Sequence, residues 1–401
     1  MNTIVSELIH RKDEFLCKEY ARPSYLLDGN AFIENIHHFR SAFESKIPRV
    51  KVFYAMKINH YDWYLRTSIE QGISLECASI REVKKAFEAG ASHVIYYSPG
   101  KSDDDLNFVC QNADKITIHL DSYGELERLE NLASEYGVHI RAGIRIHFDQ
   151  FGQKGMYGGS WKKYGIGLDE LESFIKNYLS TSKFVQLKGI HFHSSRNKHA
   201  TDYEEKIALL GTTLSNIDQN IDLSFLEYID IGGGFDTSGI EGQYQSDGTY
   251  IIHYSDSLET YADVISRALE QFIYPVLGLN IEIYTEPGRV LATDTMHILT
   301  RVVDIKYNDI IFTSGGGVNM VGWGRYQVEY YPTINLTQPS LEEQKISIYG
   351  NLCTPYDKWT DYCYAKDISI GDDILIPFQG TLTYTVAQTF IFDIPPVHLM
   401  L

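Results

Sequence analysis

The residues of this chain that could do covalent chemistry fall at the ends of apolar runs. Lys57 closes the run Val52-Phe53-Tyr54-Ala55-Met56-Lys57, and the polar Ile58-Asn59-His60 follows where such a buried strand would stop. A primary amine in that position can capture a carbonyl group as a Schiff base. A solitary strand-end lysine otherwise lies along the surface with only its head in water. Other reactive types stand at comparable run ends: Glu76, His193, the turn Gly232-Gly233-Gly234, and Glu286 with Arg289 three residues on. An amine, two carboxylates, an imidazole and a glycine turn become one site only if the chain brings these ends together.

The pattern between them predicts that it does. Eight short β-rich runs occur at Val52–Lys57, Ile73–Ala78, Val94–Ser98, Lys115–Leu120, His139–Ile146, Leu187–His193, Tyr228–Gly232 and Ile281–Thr285. Amphipathic stretches such as Ile80–Ala89 and Glu125–Tyr136 separate most of them. Strand–helix alternation implies parallel βα units, and eight of them close into a (β/α)8 TIM barrel. At 401 residues the chain exceeds such a barrel of about 250 residues, leaving room for a second domain. A helical lead-in and the strand Pro23–Leu27 precede the rhythm. After about Arg289 it gives way to strand-like runs at His297–Ile305, Ile310–Thr313, Lys345–Tyr349, Asp373–Pro377 and Tyr384–Ala387, the pattern of a β-rich sandwich or barrel domain. The glycine- and aromatic-rich segment 148–160 reads as a loop over the barrel mouth, and Thr237–Tyr254 as a second insertion.

Barrel enzymes do their chemistry at the carboxyl ends of the strands. The groups found there suit pyridoxal phosphate. Lys57 can hold its aldehyde, and Glu286 can keep the pyridine nitrogen protonated so that the ring accepts electrons. The glycine run lets backbone N–H groups approach a phosphate, Arg289 can grip the same phosphate, and His193 offers a flat ring to stack on. Each piece has a plain structural counterpart: a glycine run is a tight turn, and Glu286 before Pro287-Gly288 can cap one. His191 is expected to turn to the face opposite His193, and no carboxylate partners lie close by in the sequence. No metal is therefore expected.

Bulk composition narrows the partners. A net charge of −18 disfavours nucleic acid and anionic membrane surfaces. The five cysteines, Cys17, Cys77, Cys110, Cys353 and Cys363, are scattered without metal-ligand spacing, as expected of free thiols in a reducing compartment. No run reaches about 18 apolar residues and the N-terminus lacks a signal-peptide core, so a cytoplasmic location is expected.

The motifs together resemble the fold-type III pyridoxal-phosphate enzymes, the alanine-racemase-like barrels that include diaminopimelate, ornithine and arginine decarboxylases. Phe53-Tyr54-Ala55-Met56-Lys57 resembles the family's lysine motif, and Glu76-Cys77-Ala78-Ser79 its next strand. Gly189-Ile190-His191-Phe192-His193 is similar to the strand whose last histidine stacks on the cofactor. Asp230-Ile231-Gly232-Gly233-Gly234-Phe235 and Glu286-Pro287-Gly288-Arg289 resemble the phosphate and pyridine-nitrogen motifs. Tyr384-Thr385-Val386-Ala387 is similar to a tyrosine motif that binds the phosphate. Gly350-Asn351-Leu352-Cys353 resembles a segment whose cysteine enters the active site of a second subunit. The resemblance implies a barrel over roughly 29–290 and a β domain built from 1–28 plus 291–401. It also implies a head-to-tail homodimer with shared sites, and α-decarboxylation with Cys353 returning a proton to Cα. An amino-acid racemase, or a non-catalytic binding protein of the same fold, is the competing expectation.

The substrate contacts depart from the diamine and diaminopimelate enzymes. Those carry an acidic residue directly after the cysteine, to read a distal amine; here Thr354 stands there, within Cys353-Thr354-Pro355-Tyr356-Asp357. Trp323 falls near the position of an arginine that grips a distal carboxylate, with Arg325 two residues on. Arg196 takes the place of a serine beyond the cofactor histidine. These departures resemble decarboxylases of siderophore and antibiotic assembly, similar to the citryl-diaminopropionate decarboxylases, whose substrates are conjugated or carrier-protein-bound amino acids. Arg196, Arg325, Thr354 and Asp357 are then candidate substrate contacts, with Lys198 nearby. The alternative substrate is a free amino acid such as diaminopimelate or a basic amino acid.

Overall fold

The computed structural model describes residues 1–16, 20–148, 161–195, 197–322 and 329–400. Arg196, Trp323, Arg325, Cys17 and nearly all of the expected mouth loop lie outside them.

Eight parallel strands form the barrel: Val50–Ala55, Ser74–Cys77, Val94–Tyr97, Ile116–Leu120, Ile140–His147, Val185–Phe192, Tyr228–Asp230 and Glu282–Thr285. Each pairs with its neighbours in the sheet, and Glu282–Thr285 closes the ring on Val50–Ala55. Strand residues alternate between two environments. Val52, Tyr54 and Met56, or Ile116, Ile118 and Leu120, face outward into one large apolar core shared with the surrounding helices. The inward set is different. Phe53, Ile95, Tyr228 and Tyr284 make a small separate cluster, with the Tyr228 and Tyr284 rings stacked at 4.3 Å. Toward the carboxyl ends the inward positions become polar: Glu76, His119, His191 and Asp230 are all buried.

Local sequence explains why the helices begin where the site needs them. After Glu76, Ser79 caps the helix Ile80–Ala89, its hydroxyl accepting the Glu82 N–H while the Glu82 carboxylate takes the Ala78 N–H at 2.7 Å. Gly90 ends that helix at φ 105°, a left-handed conformation suited to glycine.

The second unit is a sheet of eight strands, in the order Ile310–Thr313, Glu343–Tyr349, Lys358–Tyr364, Ile334–Asn335, Asp373–Ile376, Met296–Lys306, Ser24–Asp28 and Val397–Met400. An added pairing of Ile310–Thr313 with Met296–Lys306 closes six of these into a β barrel. Helices Asn2–His10 and Lys12–Leu16 send Val5, Leu8 and Phe15 into a second core with Leu26, Leu299, Leu375 and Met400. The strand expected at Tyr384–Ala387 is instead a 3-10 turn over Tyr384–Val386. Strands Lys358–Tyr364 and Val397–Met400 join the sheet beyond the runs that the sequence pattern marks. The insertion 237–254 forms the hairpin Gly242–Tyr244 and Tyr250–Ile252, and Gly242–Tyr244 also pairs with Glu329–Tyr330. Among the described residues no helix is long and apolar enough to cross a membrane.

Candidate active site

Strand register assembles the site. Ala55 lies opposite Glu76, so Lys57, two residues further on the same face, comes beside that carboxylate. Lys57 Nζ is 3.7 Å from Glu76 Oε2. Burial alone would lower the Lys57 ammonium, but Glu76 and Glu286 reverse this and hold it above its ordinary value. Burial pushes Glu76 up to about 8 against the pull of Lys57.

Tyr284 pairs with Asp230, which pairs with His191, so Glu286 arrives among the inward groups of three adjacent strands. Its Oε1 lies 3.5 Å from His191 Nε2 and its Oε2 lies 3.5 Å from His193 Nδ1. The expectation that His191 turns away from His193 fails, because residues two apart on a strand share a face. The fold also supplies the carboxylates that were missing near His191 in the sequence. His119, His191, Asp230 and Glu286 each place a polar atom within 4.8 Å of the others, all buried. His193 is oriented by the glycine turn, the Gly233 N–H donating to Nδ1 at 3.0 Å. A neutral ring then carries its proton on Nε2. Burial, with Lys57 alongside, pushes His193 down to about 3, which keeps it neutral.

The glycine run is there for closeness. A Cβ on Gly233 would stand 2.0 Å from the Glu286 carbonyl oxygen, and one on Gly234, at φ 101°, would stand 2.0 Å from that of Ser194. The N–H groups of Gly232 and Gly233 already reach Asp230 Oδ1 and His193 Nδ1. Gly288 packs its backbone onto Ile58, where a Cβ would meet Ile58 Cγ1 at 2.3 Å. The Tyr384 turn is tied to the same segment, since the Leu382 N–H donates to the Ile58 carbonyl at 2.8 Å and the Tyr384 ring packs against Tyr61 and Tyr25.

Three expected contacts sit differently. Arg289 is not an open fork: Nη1 donates to Glu241 Oε1 at 2.8 Å and Nε lies 3.5 Å from Asp236 Oδ1, both carboxylates buried. Asp357 does not face a substrate. It is 1% exposed, and its oxygens accept the N–H groups of Leu352 at 2.8 Å and Val318 at 3.3 Å, binding the Cys353 loop to the start of the short helix Gly317–Val321. Thr354 lies in that loop, its hydroxyl accepting the Tyr356 N–H at 3.4 Å. Cys353 itself is exposed, on the connection between Glu343–Tyr349 and Lys358–Tyr364.

Arg145, His119 and Asp230 were not singled out from the sequence. The Arg145 guanidinium lies 4.2 Å from the centre of the Tyr97 ring and reaches the His193 carbonyl at 3.4 Å. Each is a charged or polar residue inside an apolar strand run, and that interruption of the pattern was the available signal.

Residues 32–293 match the family model described as pyridoxal-dependent decarboxylase, pyridoxal binding domain. The chain belongs to this family. Its cofactor is pyridoxal phosphate, and its activity is that of an amino-acid decarboxylase, a carboxy-lyase. The residues present fit that cofactor: a strand-end amine beside a carboxylate, a buried Glu286 Oε1 without a hydrogen bond, and a turn whose Cβ positions are filled by backbone. Diaminopimelate decarboxylase of Campylobacter jejuni is 26% identical across 94% of this chain and 89% of its own length. The 2-[(L-alanin-3-ylcarbamoyl)methyl]-2-hydroxybutanedioate decarboxylase of Staphylococcus aureus is also 26% identical, across 88% of each. In structure, Helicobacter pylori diaminopimelate decarboxylase complexed with L-lysine superposes with a TM-score of 0.79 at 23% identity, covering 94% of this chain and 91% of that one.

Proposed function

We propose that this pyridoxal-phosphate decarboxylase removes the α-carboxylate of a modified or conjugated L-amino acid. The observation that carries this reading is the Cys353 loop. Thr354 stands where an acidic residue would read a distal ammonium, and the loop's only carboxylate, Asp357, is buried and taken by backbone N–H groups. A free ammonium placed there would lose a charge-assisted hydrogen bond. The likeness to the Staphylococcus aureus enzyme supports a conjugated substrate. The comparable likeness to diaminopimelate decarboxylase keeps a free amino acid as the second reading.

When bound, pyridoxal phosphate supplies an electron sink for the carbanion left as CO2 departs. Lys57 would hold the cofactor through its Nζ. Glu286 would keep a proton on the pyridine nitrogen, and His193, neutral and fixed by Gly233, would offer its ring to the cofactor. Glu76, 3.7 Å from Nζ, orients Lys57. Gly234, Gly288 and Tyr384 would hold the phosphate end of the cofactor. Arg289, engaged by Glu241 and Asp236, shapes the wall beside it. Cys353 moves a proton from Sγ to the substrate's Cα in the site of a second copy. Its exposure supports this, as does the band of exposed apolar residues Leu382, Val386, Ile391, Phe392 and Ile394, which a head-to-tail partner would cover. In this reading 29–290 form the barrel unit, 1–28 and 291–401 the β unit, and the dimer works in the cytoplasm.

CO2 release from a panel of diaminopimelate, ornithine, lysine and citrate-conjugated diaminopropionate tests the substrate. Preference for the conjugate is expected. Fastest turnover of diaminopimelate would overturn it.

A further inference from the structure

Inside the barrel, His119, His191, Asp230 and Glu286 meet with their polar atoms within 4.8 Å of one another. All four are buried, and among the described residues none of their carboxylates makes an ion pair with lysine or arginine. Two carboxyl groups this close in a dry site cannot both ionise. The hydrogen bonds decide which keeps the proton.

Glu286 has an imidazole at each oxygen, but His193 Nδ1 is already the acceptor of the Gly233 N–H. Only His191, whose Nε2 lies 3.5 Å from Oε1, is left to donate. Asp230 is held otherwise. Its Oδ1 accepts the Gly232 N–H at 2.8 Å, while Oδ2 is buried without a hydrogen bond. His119 Nε2 stands 4.0 Å from Oδ2 and is closer, at 3.1 Å, to the Tyr228 hydroxyl. Ionised, Asp230 would bury a bare carboxylate oxygen. Protonated, it becomes the second donor that Glu286 lacks.

We propose that Asp230 keeps its proton at neutral pH and acts as a positioning residue, sharing the Glu286 carboxylate with His191. The groups facing it agree. His191 faces it from one neighbouring strand and Glu286 from the end of the other, Tyr228 shares its own strand, His119 comes from a strand farther round the barrel, Glu76 opposes its ionisation, and Lys57 and Arg145 act on Glu286 and the histidines instead. Burial, then Glu286, drives Asp230 well above the ordinary carboxylate range, while against burial His191 holds Glu286 well below it. The catalytic consequence rests on reading Glu286 as the partner of the pyridine nitrogen; the protonation of Asp230 does not.

The test compares holoenzyme of the wild type, Asp230→Asn and Asp230→Ala. The amide of Asn can accept from Gly232 and donate to Glu286, as a protonated acid does. Asp230→Ala should lower kcat roughly ten- to a hundredfold, the worth of one hydrogen bond to a charged group, and Asp230→Asn should restore most of it. The folded state holds a proton that the unfolded chain releases above about pH 4, so wild-type stability falls as pH rises from there. Asp230→Asn removes that linkage, and its melting temperature should gain on the wild type with increasing pH. The infrared difference between the two at neutral pH should show a protonated-carboxyl band only in the wild type. An Asn variant as deficient as Ala, a melting difference flat in pH, no such band, or one equivalent of divalent metal retained by the wild type would overturn the proposal. Loss of the pyridine-nitrogen role is read separately, from the cofactor spectrum of Glu286→Gln.

Discussion

Lys57 Nζ lies 3.7 Å from Glu76 Oε2 because strand register sets Ala55 opposite Glu76. The pair ties the state of the amine to a carboxylate on the next strand. Glu76 helps to hold Lys57 protonated, whereas capture of an aldehyde needs the neutral amine. Glu76→Gln should therefore shift the pH profile of cofactor uptake by apoenzyme toward lower pH, followed by the growth of the visible absorption band. An unmoved profile would detach Glu76 from Lys57.

Cys353 is exposed in the single chain, and a shared site predicts complementation. Cys353→Ala should slow CO2 release roughly a hundredfold, the scale of a lost general acid, while leaving the cofactor bound. Mixed with Lys57→Ala subunits, it should recover about a quarter of wild-type activity, since about half the dimers are mixed and each has one complete site. No recovery on mixing would count against the shared dimer.

Asp357 anchors the Cys353 loop through the backbone of Leu352 and Val318. Asp357→Ala leaves buried N–H groups without acceptors and should cost about 1–3 kcal/mol of stability by denaturant titration. Turnover should fall with little change in cofactor affinity. A weaker KM for substrate at full stability would instead make Asp357 a substrate contact.

Acid should destabilise the fold through buried neutral histidines. Burial pushes His297 down to about 4, with Asp28 opposing, where it packs between Phe15 and Phe378. Between about pH 6.5 and pH 4 the unfolded chain binds a proton that the folded one refuses, so stability drops as pH falls through that window. His297→Asn should flatten this limb in melting curves taken across the window; an unchanged slope would place the proton uptake elsewhere.

The site residues readable from the sequence were those that end a strand. Lys57, His193 and Glu286 stand at or just past the end of an apolar run, Glu76 lies near the end of its own, and a βα repeat obliges such ends to converge. His119, Asp230 and Arg145 sit inside their runs, and only the register of non-adjacent segments makes them neighbours. Asp357 misled because a carboxylate after a cysteine motif reads the same whether it meets ligand or backbone. In the β unit, Val397–Met400 finds its partner in Ser24–Asp28 at the other end of the chain, a pairing that no local pattern announces. The β-forming residues of the Tyr384 segment suggest a strand, but its bonds go to Ile58 rather than to a ladder.

The central claim is that the amine of Lys57 carries the cofactor. Borohydride reduction of the holoenzyme, followed by proteolysis and peptide mass spectrometry, should find the reduced pyridoxyl mass on the peptide containing Lys57 and on no other. The same mass on a different lysine, with Lys57 unmodified in fully loaded protein, would contradict it.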